Sequence, residues 1–199
     1  MVTAMAHGVE KIVPVATLEE CQELQMKGYL AAAERGGKQV KGFELGNSPF
    51  QYMDESLKGS QIAITTTNGT IALTKSKDAE TVLVGSFLNL SSIAKYILLN
   101  GKSVVVHCAG WKGMFSMEDT LFAGALLEKL KASHTYESDA ALMALTLYQN
   151  VKNDLSGFMS SSSHARRLAS FKIQKDIDFC LQQDVYNVTP YMRGNAILV

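Results

Sequence analysis

Residues 61–70 read QIAITTTNGT and decide the fold expected of this chain. The first five residues are mostly apolar and include β-branched side chains, which is typical of a buried strand. The next five carry hydroxyl and amide groups and a glycine, which is typical of a loop leading into a helix. A strand followed directly by a helix is the unit from which a helix-covered parallel sheet is built.

The same strand-to-helix order is expected elsewhere in the chain. Further strands are predicted at residues 11–15, 81–84 and 103–107, and residues 36–49 are predicted to be irregular because they are rich in turn formers. Helices are predicted from Thr17 to about Ala33, over 117–131 and 139–151, from near Ser162, and over 176–183. Two short strands are predicted after them, at 185–191 and 196–199. The pattern predicts a single domain over residues 1–199, of three-layer α/β/α architecture with a largely parallel or mixed sheet.

Composition excludes several classes of protein. Lys plus Arg and Asp plus Glu number 19 each, so the formal net charge is zero and no basic tract indicates a nucleic-acid partner. No apolar run is long enough to predict a membrane span. The three cysteines lack metal-ligand spacing and are odd in number, which favours a reduced, cytoplasmic setting.

The loop after residues 61–65 is the first candidate for chemistry. Ligands of open parallel sheets bind beyond the carboxyl ends of the strands, where helix N-termini favour anions. Thr67, Asn68, Gly69 and Thr70 are therefore expected to bind a phosphate or sulfonate group. The alternative is that Thr67 or Asn68 only caps the following helix. The loop lacks the lysine of a Walker motif.

Two adjacent carboxylates, Glu118 and Asp119, stand at the expected start of the helix over 117–131. Mg²⁺ is commonly held by one or two carboxylates, several waters and the substrate phosphate, so one of the two is expected to bind this metal. The alternative is that both acids only stabilise the first turn through the helix dipole.

Cys108 and a basic segment complete the candidate catalytic residues. His107-Cys108 is similar to the start of a cysteine-phosphatase loop, but Met114 stands where such a loop has its phosphate-binding arginine. A packed thiol is the favoured interpretation of Cys108, and a nucleophile is the alternative. His164 is a candidate general acid and Arg166 a candidate anion clamp, although both also fit a solvated basic face.

Six strings, in order, resemble the 2-phosphosulfolactate phosphatase family. They are GFELGNSP at 42–49, TTNGT at 66–70, GSFLN at 85–89, CAG at 108–110 with Gly113 and FSMEDTLFAG at 115–124, SHAR at 163–166, and DIDFCLQQD at 176–184. The resemblance implies a ComB-like fold and Mg²⁺-dependent hydrolysis of (R)-2-phospho-3-sulfolactate to sulfolactate and phosphate, a step of coenzyme M biosynthesis in methanogens. It also implies substrate-binding roles for Asn47, Ser48, Ser86 and Asn89.

The resemblance further implies that a first strand with an Asp-Val-Leu-Arg-like motif precedes the helix matched by the first residues of this chain. Since that motif is absent from residues 1–199, the chain is expected to have weak or no activity. Two alternatives follow: a phosphatase for another small phosphorylated hydroxy acid, or an inactive anion-binding protein. A homodimer is a further expectation, because an unpaired sheet edge encourages association.

Overall fold

The computed structural model describes residues 1–36, 38–162 and 174–199. These residues form two compact units. The first unit comprises Met1–Gly85 and Val188–Val199, and the second comprises Ser86–Asn187.

The first unit contains a mixed six-stranded sheet. Its strands are β1 (Lys11–Pro14), β2 (Leu30–Arg35), β3 (Lys38–Gln39), β4 (Gln61–Thr65), β5 (Tyr191–Arg193) and β6 (Ala196–Leu198). Their order is β3-β2-β4-β1-β6-β5, with β4 parallel to both β1 and β2 and the other pairs antiparallel. The α/β class and the mixed sheet expected from the sequence are confirmed.

Alternation along β4 builds a core on each face of this sheet. Ile62 and Ile64 join one buried cluster, with Ala4 and Met5 of helix α1 (Val2–Ala6). Ala63 between them joins the opposite cluster, with Cys21 of helix α2 (Leu18–Gln25). Because successive side chains of a strand point to opposite faces, one strand anchors both layers. The remaining elements of this unit are α3 (Gly69–Ser76) and two 3-10 helices, Pro49–Met53 and Glu55–Leu57.

Helix α2 begins as predicted and ends earlier than predicted. The Thr17 hydroxyl accepts a hydrogen bond from the Glu20 N–H at 3.1 Å, and the Glu20 carboxylate accepts one from the Thr17 N–H at 3.2 Å. The prediction that this helix extends to about Ala33 was wrong. Gly28 has a φ of 92°, which ends the helical path, and Leu30–Arg35 is a strand that pairs in parallel with β4.

The second unit is helical in its described part. Its helices are α4 (Leu90–Asn100), α5 (Met117–Leu130), α6 (Asp139–Val151), α7 (Leu155–Ser160) and α8 (Gln174–Cys180), with a 3-10 helix at Phe87–Asn89. Helices α5 and α6 closely match their predicted ranges. They approach each other at Gly124, where an added Cβ would stand 2.1 Å from the Ala144 carbonyl oxygen.

Several predicted strands are absent or shorter than predicted. Residues 103–107 carry no strand assignment, and within 81–84 only Leu83 forms an isolated bridge, to Tyr191. The predicted strand at 185–191 is found only from Tyr191 onward, and the two-residue β3 lies inside the stretch predicted to be irregular. A β-branched run becomes a strand only where another backbone lies beside it, and residue type alone does not supply that neighbour.

No helix in the described ranges has the length and apolar composition needed to cross a bilayer.

Candidate active site

The carboxyl ends of β2 and β4 bring an arginine and a threonine together. Arg35 ends β2 and Thr65 ends β4, and the two strands are parallel neighbours. The Arg35 Nη2 atom donates to Thr65 Oγ1 at 3.4 Å, and that hydroxyl donates in turn to the Ala16 carbonyl oxygen at 3.3 Å. Thr65 is fully buried, whereas Arg35 is exposed. A buried hydroxyl thus anchors a guanidinium group at the edge where α/β proteins bind ligands.

The loop from β4 to α3 is held by Thr66 and Thr70. Thr66 Oγ1 accepts from the Thr70 N–H at 3.1 Å, and the Thr70 hydroxyl donates to the Thr66 carbonyl oxygen at 2.9 Å. The Asn68 side chain, at the N-cap position, makes no capping hydrogen bond, and Thr67 is exposed. Thr66 therefore performs the capping role that the alternative interpretation of the sequence gave to Thr67 or Asn68.

The first turn of α3 retains open hydrogen-bond donors. Within the described part of the chain, the backbone N–H groups of Gly69 and Ile71 donate to no acceptor. Such donors, together with the positive end of the helix dipole, favour an anion. Gly69 has no side chain to cover them. The exposed hydroxyl of Thr67 belongs to the same loop, so this loop and Arg35 can together bind a phosphate or sulfonate.

Asn47 and Ser48 lie on a loop that leads towards the same edge. Leu45 forms a parallel bridge with Ala32 of β2, so the chain after Leu45 continues towards the carboxyl end of that strand. The loop is fixed through Gly46, whose N–H donates to Gln51 Oε1 at 2.7 Å and whose carbonyl oxygen accepts from the buried Tyr52 hydroxyl at 2.8 Å. Asn47 is exposed and Ser48 is half-buried at the N-cap of the following 3-10 helix.

Sequence reasoning missed Arg35, because a helix predicted to extend to about Ala33 hides the strand of which Arg35 is the last residue. The available signal was Gly28 in a Lys-Gly-Tyr sequence before an apolar run. A helix ended at that glycine leaves Leu30–Arg35 as a strand, and its last residue then falls at the ligand-binding edge.

Glu118 and Asp119 lie in the first turn of α5, as predicted. The Ser116 side chain caps this helix by accepting from the Asp119 N–H at 3.4 Å, and its hydroxyl donates to Glu118 Oε2 at 3.0 Å. Asp119 Oδ2 accepts from the Gly110 N–H at 2.8 Å. Both carboxylates are half-buried, and the bond to Gly110 ties the preceding loop to the helix start.

The donor chemistry at this helix start fits a hard cation. In the described residues, no three His, Cys, Asp or Glu side chains converge to hold a metal ion by themselves. Mg²⁺ does not require three, because it keeps several waters and is often bound through one or two carboxylates. Asp119 and the neighbouring Glu118 carry carboxylate oxygens, which are the type of ligand that Mg²⁺ prefers. The residues therefore fit an Mg²⁺ ion that keeps most of its water ligands.

The loop before α5 contains a tight turn and Cys108. Cys108 is exposed and follows no strand, so the prediction of a packed thiol was wrong. Trp111 and Met114 exchange backbone hydrogen bonds of 3.0 and 2.9 Å across Lys112 and Gly113, which have φ values of 51° and 75°. This geometry matches a two-residue type I′ turn. Desolvation raises the pKa of the Cys108 thiol, and the nearby Asp119 carboxylate raises it further. Both effects favour the protonated thiol over the thiolate, which disfavours a nucleophilic role.

We accordingly expect the Cys108→Ser variant to retain phosphatase turnover, because a protonated thiol beside a carboxylate is a poor nucleophile. Steady-state phosphate release should be compared with that of Cys180→Ser, a matched change at another exposed cysteine. Loss of turnover in the first variant alone would restore the nucleophile hypothesis.

Ser86 and Asn89 bind each other. The Ser86 N–H donates to Asn89 Oδ1 at 2.9 Å and the Ser86 hydroxyl donates to the same oxygen at 3.2 Å. Asn89 is fully buried. This pair closes the 3-10 turn before α4, which supports a structural role, and their predicted contact with substrate stays a prediction. His164 and Arg166 lie outside the described residues.

In the first unit, Arg35 and the Thr67 to Thr70 loop lie at the carboxyl ends of β2 and β4, and the loop with Asn47 and Ser48 leads towards the same edge. In the second unit, a hydrogen bond joins the loop after Cys108 to the helix start at Glu118 and Asp119.

Comparison with known proteins places these features in a family. Residues 1–195 match the family model of 2-phosphosulpholactate phosphatase. The chain is 40% identical over 200 residues to a probable 2-phosphosulfolactate phosphatase of Caldanaerobacter subterraneus subsp. tengcongensis, covering 98% of this chain and 83% of the relative. It is 39% identical over 199 residues to the Thermotoga maritima protein of the same name, covering 100% of this chain and 86% of that relative. The chain therefore belongs to the 2-phosphosulfolactate phosphatase family.

Proposed function

We propose that this chain is a phosphoric monoester hydrolase that converts (R)-2-phospho-3-sulfolactate and water to 3-sulfolactate and inorganic phosphate, with Mg²⁺. The observation that carries the proposal is the anion-binding edge formed by Arg35 and the α3 N-terminus, within a chain that matches the family over residues 1–195. The relatives' names supply the substrate.

The negative charge of this substrate requires positive groups in the binding site. Phosphate, carboxylate and sulfonate groups are all anionic at neutral pH, whereas the protein has a formal net charge of zero. Binding therefore depends on local positive potential. The Arg35 guanidinium offers paired N–H donors suited to phosphate, carboxylate or sulfonate oxygens. The open N–H groups of Gly69 and Ile71 add donors that remain positive in character at every pH.

In the reaction, a water oxygen bonds to phosphorus, the ester P–O bond breaks, and the leaving alkoxide takes up a proton. Negative charge spreads over the phosphoryl oxygens in the transition state. Donors fixed before the reaction stabilise that charge without reorganisation, which is the role we assign to the α3 N-terminus and Arg35. His164 is proposed as the general acid for the leaving oxygen, and Arg166 as a second partner for the carboxylate or sulfonate end.

Mg²⁺ would be held by Glu118 or Asp119, and when bound it would supply neutralisation of phosphoryl charge. The Ser116 hydroxyl and the Gly110 N–H orient these carboxylates. Hydrogen bonds of this kind fix the direction in which a ligand oxygen points and sustain metal affinity.

The proposal is tested by phosphate release from 2-phosphosulfolactate, compared with 2-phospholactate, which lacks the sulfonate. We expect a higher kcat/KM for the sulfonated ester, with activity abolished by EDTA and restored by Mg²⁺. Equal turnover of both esters would indicate another phosphorylated hydroxy acid as the substrate. Phosphate binding without hydrolysis of any ester would indicate an anion-binding protein.

The metal assignment predicts that Glu118→Ala or Asp119→Ala raises the Mg²⁺ concentration needed for half-maximal activity by roughly tenfold or more, since even outer-shell partners of metal ligands have effects of this size. Mn²⁺ binding, followed by electron paramagnetic resonance, gives a readout that does not depend on turnover. Asp139→Ala is the matched control, because Asp139 is also an acid in the first turn of a helix of this unit. Unchanged metal dependence in both test variants would contradict the assignment.

A further inference from the structure

Residues 103–107, Ser-Val-Val-Val-His, form an exposed apolar segment between α4 and the turn at Lys112 and Gly113. The exposed fraction is 41% for Val104 and 90% for Val105. In the described part of the chain, no group forms a backbone hydrogen bond with Val104, Val105 or Val106. β-Branched residues favour strands, and a run of them with open backbone groups is a template for pairing with another strand.

The sequence of this segment is self-complementary. Antiparallel pairing of two identical copies about Val105 would place Val105 opposite Val105, Val104 opposite Val106, and Ser103 opposite His107. Each valine then faces a valine and each polar end faces a polar end. The segment contains no acidic residue and no lysine, so this arrangement places no pair of fixed like charges in opposition.

We propose that residues 103–107 are a dimerisation strand that pairs antiparallel with the same residues of a second copy of this chain. Such pairing satisfies the open backbone groups of both copies and removes the exposed valines from water. A two-fold axis through Val105 makes the contact isologous, which closes the assembly at two copies. Leu98 and Leu99, at the end of α4 and 46% and 77% exposed, provide further apolar surface next to the segment in sequence.

The net charge of the chain is consistent with a second copy of the chain as the partner. Two copies of a protein with a formal net charge of zero do not repel each other at long range. The proposal concerns association only, so it stands or falls independently of the proposed phosphatase activity.

A charge-swap experiment tests the pairing at one position. In sedimentation velocity, the wild-type chain is expected to show a monomer–dimer equilibrium. Val105→Lys alone and Val105→Asp alone should each raise the dimer dissociation constant by roughly tenfold or more, because like charges then stand directly opposite each other. An equimolar mixture of the two variants should restore the dimer. Met143→Lys is the control, since Met143 is a 72% exposed apolar residue on α6 of the same unit.

A monomeric wild-type chain would overturn the proposal. A strand of different sequence would then be the candidate partner of residues 103–107. A dimer that survives both charged substitutions, or a mixture that stays monomeric, would also overturn it. If a charged variant does not fold, Val105→Cys in a Cys108→Ser, Cys180→Ser background decides the question. Oxidation should then give a disulfide-linked dimer, and a cross-link no faster than that of Met143→Cys would contradict the pairing.

Discussion

Arg35→Ala should lower the kcat/KM for 2-phosphosulfolactate by roughly 10- to 100-fold, because hydrogen bonds to charged groups contribute about 1.5–3 kcal/mol. Arg35 is held at the carboxyl end of β2 by its contact with Thr65 Oγ1, next to the loop that leads to the open N–H groups of α3. Removing the guanidinium takes away one proposed anion-binding group of this edge and leaves the N-terminus of α3 in place. Steady-state phosphate release measures the loss.

Two further variants separate charge, geometry and general stability. Arg35→Lys keeps a positive charge but loses the planar fork, so it should recover only part of the activity. Arg193→Ala is the matched control, because Arg193 is an exposed arginine on β5 in the same unit and should leave kcat/KM unchanged. Calorimetric binding of inorganic phosphate provides a second readout. Unaltered phosphate affinity and unaltered kcat/KM in Arg35→Ala would remove Arg35 from the site.

The parts of the fold that sequence reasoning predicted correctly are those with strong local signals. The helix start at Thr17, the apolar run of Gln61–Thr65 and the start of α5 each depend on residues a few positions apart. Such signals are present in any short window of sequence. They were sufficient to predict an α/β fold and the positions of the loops after β4 and before α5, whose binding roles stay predictions.

The errors arose where a distant neighbour determines the local structure. Ala31, Ala32 and Ala33 favour a helix by propensity, yet they form a buried strand because β4 lies beside them. Val104 and Val105 favour a strand, yet they have no strand assignment where no described backbone pairs with them. The first error also concealed Arg35. A site residue at the end of a strand, such as Arg35, can be predicted only when the strand itself is predicted.

Gly124→Ala should destabilise the second unit by about 3 kcal/mol, because overpacking a tight interface forces backbone shifts. A Cβ at this position would lie 2.1 Å from the Ala144 carbonyl oxygen and 2.7 Å from Tyr148 Cβ. A carbonyl oxygen cannot rotate away as a flexible side chain can, so α5 and α6 would have to separate. Urea unfolding followed by circular dichroism and by the fluorescence of Trp111, the only tryptophan, measures the change.

The sign of the change in stability distinguishes tight packing from helix propensity. Propensity alone would make the alanine variant more stable than wild type, by about 1 kcal/mol. Gly69→Ala supplies the comparison. Gly69 also lies in a helix, but a Cβ there would meet only the Thr66 hydroxyl oxygen, at 3.2 Å, and that side chain can adjust. We expect this control to change stability by less than about 1 kcal/mol. A Gly124→Ala variant as stable as the wild type would mean that α5 and α6 do not approach each other at this position. Helix α5 also carries the proposed Mg²⁺ carboxylates in its first turn. The packing of Gly124 therefore also tests whether the helix that positions Glu118 and Asp119 is seated as described.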